Sequence, residues 1–119
     1  MEFIEAPAFT RHLAEYLDDE GLRGLQAWLI ENPDAGDLIE KTGGFRKLRW
    51  QDVRRRKGKR GGLRVIYYLF DGDDQLWLMT IYGKNEKDDL SEAEKTILRT
   101  LLESELAVRR KQRGRRARR

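Results

Sequence analysis

Between Lys41 and Arg64 the chain carries eleven Lys or Arg side chains, Lys41, Arg46, Lys47, Arg49, Arg54, Arg55, Arg56, Lys57, Lys59, Arg60 and Arg64, against one acid, Asp52. Cations at this density suit a polyanion. An arginine fork binds two phosphate oxygens at once and stabilises a phosphorane as charge grows on it. Arg64 is the first candidate for that role, because it stands at the start of the strand-like run that follows Gly61-Gly62, where small residues let backbone approach a phosphate. A lysine crowded by other cations loses affinity for its proton, which suits it to general base or acid work. Lys57 and Lys59 stand in such a crowd, and Lys84, after Tyr82-Gly83, closes the next strand-like run where it can reach the same place. Tyr82 and Trp50 offer rings that either stack on a base or pack in a core. The chain has one histidine, His12, so a two-histidine mechanism is excluded.

Charge is distributed unevenly along the 119 residues. The last eleven, RRKQRGRRARR, add eight basic groups, so two stretches hold nineteen of the twenty-five Lys and Arg, while the remainder has six against twenty acids. A ligand meets the local field, which makes a nucleic acid on the basic side and a basic or mixed protein on the acidic side the natural partners. The length suits one domain with one core, expected over 1–108, followed by a tail over 109–119 too polar to bury anything and expected to be disordered. There is no cysteine. That excludes disulfides and thiolate metal sites and suits a cytoplasmic protein, as does the lack of a signal-like or membrane-spanning apolar run.

The elements that must position these groups follow from periodicity. Phe3 and Ile4 begin a short strand that stops at Pro7, a residue suited to the first turn of a helix. Phe9, Leu13, Tyr16 and Leu17, then Leu22, Leu25, Trp28 and Leu29 beyond the acidic break Asp18-Asp19-Glu20, mark two amphipathic helices. Asn32-Pro33 ends the second, and a polar connection runs through Gly43-Gly44. Three strand-like segments follow: Phe45 to Trp50, Leu63 to Phe70 and Leu76 to Tyr82, the last two joined by the hairpin signal Asp71-Gly72-Asp73-Asp74. Ser91 and Glu94 form a capping box before Ile97, Leu98, Leu101, Leu102 and Leu106. The order β-α-α-β-β-β-α predicts an α+β fold, a small antiparallel sheet with helices on one face and the basic groups on the other.

NPDAGDLI at 32 to 39, TGGFRKLRW at 42 to 50, GKRGGLRVIYYL at 58 to 69 and TIYGKNEKDDLS at 80 to 91 together resemble the RelE/ParE toxin superfamily, most closely its HigB branch. The resemblance covers Phe3 to about Leu106 and leaves the Arg-rich tail outside. It implies a RelE-like fold and the toxin of a toxin–antitoxin pair, an endoribonuclease that enters the ribosomal A site and cuts messenger RNA without metal or cofactor. In that chemistry a ribose 2′-OH attacks the neighbouring phosphorus, leaving a 2′,3′-cyclic phosphate and a 5′-OH. The implied partners are a HigA-type helix-turn-helix antitoxin, through it operator DNA, and the ribosome with its message, with no membrane.

By the same resemblance Arg64 holds the transition-state phosphate, with Lys57, Lys59 and Lys84 as its catalytic companions. The family's acid–base cations lie on the second strand and the loop after it, so the match falls either on Lys57 and Lys59 or on Lys47 and Arg49. Arg46, Lys47, Arg49, Trp50, Arg54, Arg55, Arg56, Arg60 and Tyr82 are the candidate RNA contacts. Where the RelE pattern has an arginine after Gly-Lys this chain has Asn85, which suits the HigB branch, and where it has an aromatic a few residues on this chain has Leu90. Two rival readings share the charge pattern: a ParE-like inhibitor of DNA gyrase on the same fold without nuclease activity, and a non-catalytic RNA-binding module.

Overall fold

The run Leu63–Phe70 is apolar at nearly every position instead of alternating, the pattern of a strand covered on both faces. It forms the central strand of a five-stranded sheet in a computed structural model that describes residues 1–51, 62–87 and 89–117. In chain order the elements are β1 (Glu2–Glu5), α1 (Pro7–Tyr16), α2 (Asp19–Glu31), β2 (Asp37–Leu38), β3 (Arg46–Trp50), β4 (Leu63–Phe70), β5 (Gln75–Gly83) and α3 (Glu92–Ala117). The strands lie in the order β1-β5-β4-β3-β2. The fold is α+β, as expected.

Three details correct the expected layout. The sheet is mixed, because β1 pairs in parallel with β5, Phe3 opposite Leu76 and Glu5 opposite Leu78, while the other neighbours are antiparallel. β1 is followed by two helices instead of a turn, so the chain has room to return and lay β1 along β5 in the same direction. A two-residue edge strand, β2, pairs with β3 inside the stretch read as a connection. Third, helices cover both faces. Phe9, Leu25 and Leu29 of α1 and α2 pack on Val65, Tyr67, Leu76 and Leu78, whereas Leu98 and Leu102 of α3 pack on Phe45, Ile66, Phe70 and Met79. A strand apolar on both sides needs both covers.

Local chemistry fixes the helix ends. Pro7 occupies the first turn of α1. The Asp18 carboxylate accepts the Gly21 N–H at 2.8 Å, so the acidic break is the N-cap of α2, with Asp19 and Glu20 favourably placed in its first turn. Ser91 and Glu94 exchange bonds, Ser91 N–H to Glu94 Oε1 at 2.8 Å and Glu94 N–H to Ser91 Oγ at 3.1 Å, as the capping box predicts. α3 then continues to Ala117, through most of the segment read as a tail. No helix among the described residues is long and apolar enough to cross a membrane.

Two features of the sheet matter for the site. Ile66 faces Thr80 but Tyr67 faces Leu78, so Met79 is an extra residue, a bulge on β5. It shifts the alternation, turning Ile81 to the α1 face and Tyr82 to the α3 face. Tyr67, fully buried, accepts the Gly36 N–H at 2.9 Å and donates to the Pro33 carbonyl at 2.9 Å, tying the chain between α2 and β2 to the central strand.

Candidate functional site

Arg49, Arg64 and Tyr82 are direct partners across β3, β4 and β5, so they stand side by side on the face that carries α3. Strand pairing holds opposite Cβ atoms ~5 Å apart, which sets these side chains in one row without any loop to position them. Arg64 is 6% exposed and Tyr82 8%, whereas Arg49 at the row's outer end is exposed. Burying a guanidinium is unfavourable unless its donors are bonded. Arg64 Nη1 donates to the Leu63 carbonyl at 3.1 Å.

Tyr82 presents the contrast to Tyr67. Its hydroxyl is buried and has no hydrogen-bond partner among the described residues. Burial, with smaller contributions from the Asp89 and Glu94 carboxylates, pushes its pKa up against the opposing pull of Arg64. The phenol therefore stays protonated, a donor held next to a buried cation with no acceptor among the described residues. An anionic oxygen entering beside Arg64 would give the Tyr82 hydroxyl an acceptor and lie next to a positive charge.

A belt of ion pairs surrounds the row. Lys47 Nζ lies 3.4 Å from Asp89, whose carboxyl is held below the ordinary range by the Leu90 N–H first and Lys47 next. Lys87 pairs with Glu94 and sits 5.6 Å from the Tyr82 ring centroid. Burial raises the Glu94 pKa, but the bonds from Lys87 and the Ser91 N–H outweigh it and the net shift is downward. The field here is thus less one-sided than the sequence run suggests, because Asp89 sets an acid against Lys47 of β3 and Glu94 offsets Lys87.

At the sheet end next to the row the backbone comes close. Gly62 has φ +62, and a Cβ there would lie 2.8 Å from the Trp50 carbonyl oxygen. The Lys84 N–H donates to the Gly62 carbonyl at 3.2 Å, so Lys84 is tied to the residue that leads into Arg64. On the α1 side of this junction a cleft of about 310 Å³ is lined by Glu15, Tyr16, Gly62, Leu63, Gly83, Lys84, Asn85 and Glu86. There the Tyr16 phenol donates to Glu86 at 2.5 Å, and burial with that bond pushes its pKa up to about 12.

The structure therefore groups Arg64, Arg49, Tyr82 and Lys47 on one face, with Lys84 at its edge. Two of the candidate residues lie elsewhere. Arg46 points to the α1/α2 side, donating to the Asp34 and Gly36 carbonyls at 3.0 and 2.8 Å, and so braces the connection before β2. Trp50 packs against the α1/α2 core, its ring 5.7 Å from that of Trp28. Arg54, Arg55, Arg56, Lys57, Lys59 and Arg60 lie outside the described residues. His12, 3.4 Å from Glu15 on α1, is on the side away from the row. Sequence reasoning did not place Asp89, Lys87 or Glu94 at the site: Glu94 was read only as half of the capping box, and Asp89 and Lys87 stand in the dense mixed charge after Gly83. No known protein-family model matches the chain.

Proposed function

We propose that this chain is a RelE-like endoribonuclease, the toxin of a toxin–antitoxin pair, which cleaves messenger RNA in the ribosomal A site. The observation that carries the reading is the buried Arg64 guanidinium beside a Tyr82 hydroxyl that has no partner among the described residues, with Arg49 completing the row across three strands. A fork and a hydroxyl donor set side by side on rigid strands are what a trigonal-bipyramidal phosphorane requires of its surroundings. In the reaction the 2′-oxygen bonds to phosphorus as the bond from phosphorus to the 5′-oxygen breaks. The 2′ proton passes to a general base, and the departing 5′-oxygen takes one from an acid. Those roles fall to Lys57 and Lys59, or to Lys47 and Arg49; Lys47 stands on the row's face, next to Asp89. Arg64 and Tyr82 bear on the non-bridging oxygens, and Lys84 approaches from the Gly62 junction. The reading implies a cytoplasmic protein with a helix-turn-helix antitoxin as partner.

The test is cleavage of a defined message in a translation extract, mapped by primer extension. Arg64→Lys keeps the charge and loses the fork, and should lower the cleavage rate by at least about 100-fold with the fold intact. Transcripts left whole by the wild-type protein, together with inhibited DNA supercoiling, would replace this reading with the gyrase-inhibitor one.

A further inference from the structure

The end of α3 carries charge that the row around Arg64 does not use. Every residue from 110 to 116 is exposed, and five of them, Arg110, Lys111, Arg113, Arg115 and Arg116, are cations. At about 3.6 residues per turn they surround the helix instead of forming one stripe. Their spacing places Lys111 and Arg115 one turn apart, a like-charge pair that disfavours a helix standing alone.

The root of this segment is anchored. The Arg109 guanidinium lies 3.7 Å from the Phe70 ring centroid, with Nε donating to Glu105 at 2.8 Å and Nη1 to Asp73 at 2.6 Å. Arg113 lies 3.9 Å from Asp73. These contacts hold α3 against the hairpin between β4 and β5, at the opposite end of β4 from Arg64. Arg64 and Phe70 are six residue steps apart on β4, about 20 Å. No single phosphate can touch both basic surfaces.

We propose that the C-terminal part of α3 is a helical arm that binds the phosphate backbone of folded RNA, a second polyanion site separate from the Arg64 row. A partner protein helix docks along one face through apolar anchors, and 110–116 offers none. Cations on all sides instead match phosphates that flank a groove and meet the helix from more than one direction. The segment has no aromatic ring on which an unpaired base could stack, and cations pointing in all directions suit phosphates better than one row of base edges, so the arm reads chiefly shape and charge. The choice of RNA over DNA rests on the function proposed above; the arm's affinity for phosphate does not.

The experiment is fluorescence anisotropy of a labelled RNA hairpin with the full-length protein across a salt series, an assay with no cleavage step. Changing Arg110, Lys111, Arg115 and Arg116 together to Gln should reduce the log–log salt slope by roughly 3 to 4 and weaken binding at low salt at least tenfold. Gly114, whose added Cβ would meet nothing within 4 Å, separates charge from helix. Gly114→Ala should bind as tightly as wild type or tighter, and Gly114→Pro, with identical charge, several-fold more weakly. An unchanged slope in the Gln variant, or equal binding by the Ala and Pro variants, overturns the arm. Tighter binding of a DNA duplex of the same sequence overturns the choice of RNA alone, and loss of ribosomal cleavage elsewhere leaves the arm untouched.

Discussion

Replacing Tyr82 by Phe should make the protein more stable and less active at once. The ring is packed among Met79, Leu90 and Leu98 and would stay where it is, because only the hydroxyl is removed. That hydroxyl is buried without a partner among the described residues. A buried polar group in this state costs about 1 to 3 kcal/mol relative to the solvated unfolded chain, so its deletion should return about 1 kcal/mol. For a domain of this size the melting temperature should rise by about 4 °C, measured by differential scanning fluorimetry at neutral pH. Phosphate ions or a short RNA should raise the melting temperature of the wild type more than that of the variant, since only the wild type gains a bond to the anion. Cleavage in the translation extract should fall in the same variant. A lower melting temperature for Tyr82→Phe would refute the orphaned hydroxyl, because it would mean that Oη is bonded in the free protein. Equal stabilisation of both proteins by phosphate would remove the hydroxyl from the anion site.

Two further outcomes follow from the geometry around the row. Gly62→Ala places a Cβ 2.8 Å from the Trp50 carbonyl at a positive φ, and should destabilise by at least about 2 kcal/mol in chemical denaturation. Gly24→Ala in the open interior of α2, where an added Cβ meets nothing within 4 Å, should instead stabilise by roughly 0.5 to 1 kcal/mol; equal effects from the two would contradict the close approach at Gly62. Tyr16, raised from 10.0 to about 12 by burial and its bond to Glu86, keeps its proton in the folded state at pH values where the unfolded chain has released it. Its contribution is therefore complete below pH 10 and lost as pH rises toward 12, so Tyr16→Phe should flatten the alkaline decline in stability, and parallel pH curves for variant and wild type would count against the shift.

The sequence showed its elements more clearly than their arrangement. Helical spacing, Pro7, the Ser91/Glu94 box and the Asp71–Asp74 turn all reappear, because each is set by residues within a few positions of one another. The parallel pairing of β1 with β5 depends on contacts some 70 residues apart, and no local pattern encodes it. The unalternating Leu63–Phe70 run did carry the information that helices lie on both faces, a signal outweighed by the pull of the basic residues toward an open face. For the site, Arg64 was identifiable from its place after two glycines, and Tyr82 from its place before Gly83-Lys84. Their neighbourhood was not. The Met79 bulge decides which face Tyr82 takes, and an extra residue in a strand leaves no mark in composition. Arg46 and Lys47 are adjacent and chemically alike, yet β alternation sends one to backbone carbonyls and the other to Asp89.

The buried tyrosine on β4 has a bearing on how this protein keeps to itself. β2 is the outermost strand on its side, and Leu38 there is 63% exposed, an invitation to pair with another chain. Its length of two residues limits that invitation, and Tyr67 limits it further by fastening the approach to β2 at Pro33 and Gly36. For the margin to peel outward and recruit a neighbour, a fully buried phenol would have to release both of its bonds. Edge protection in this molecule thus originates two strands further in, at the centre of the sheet.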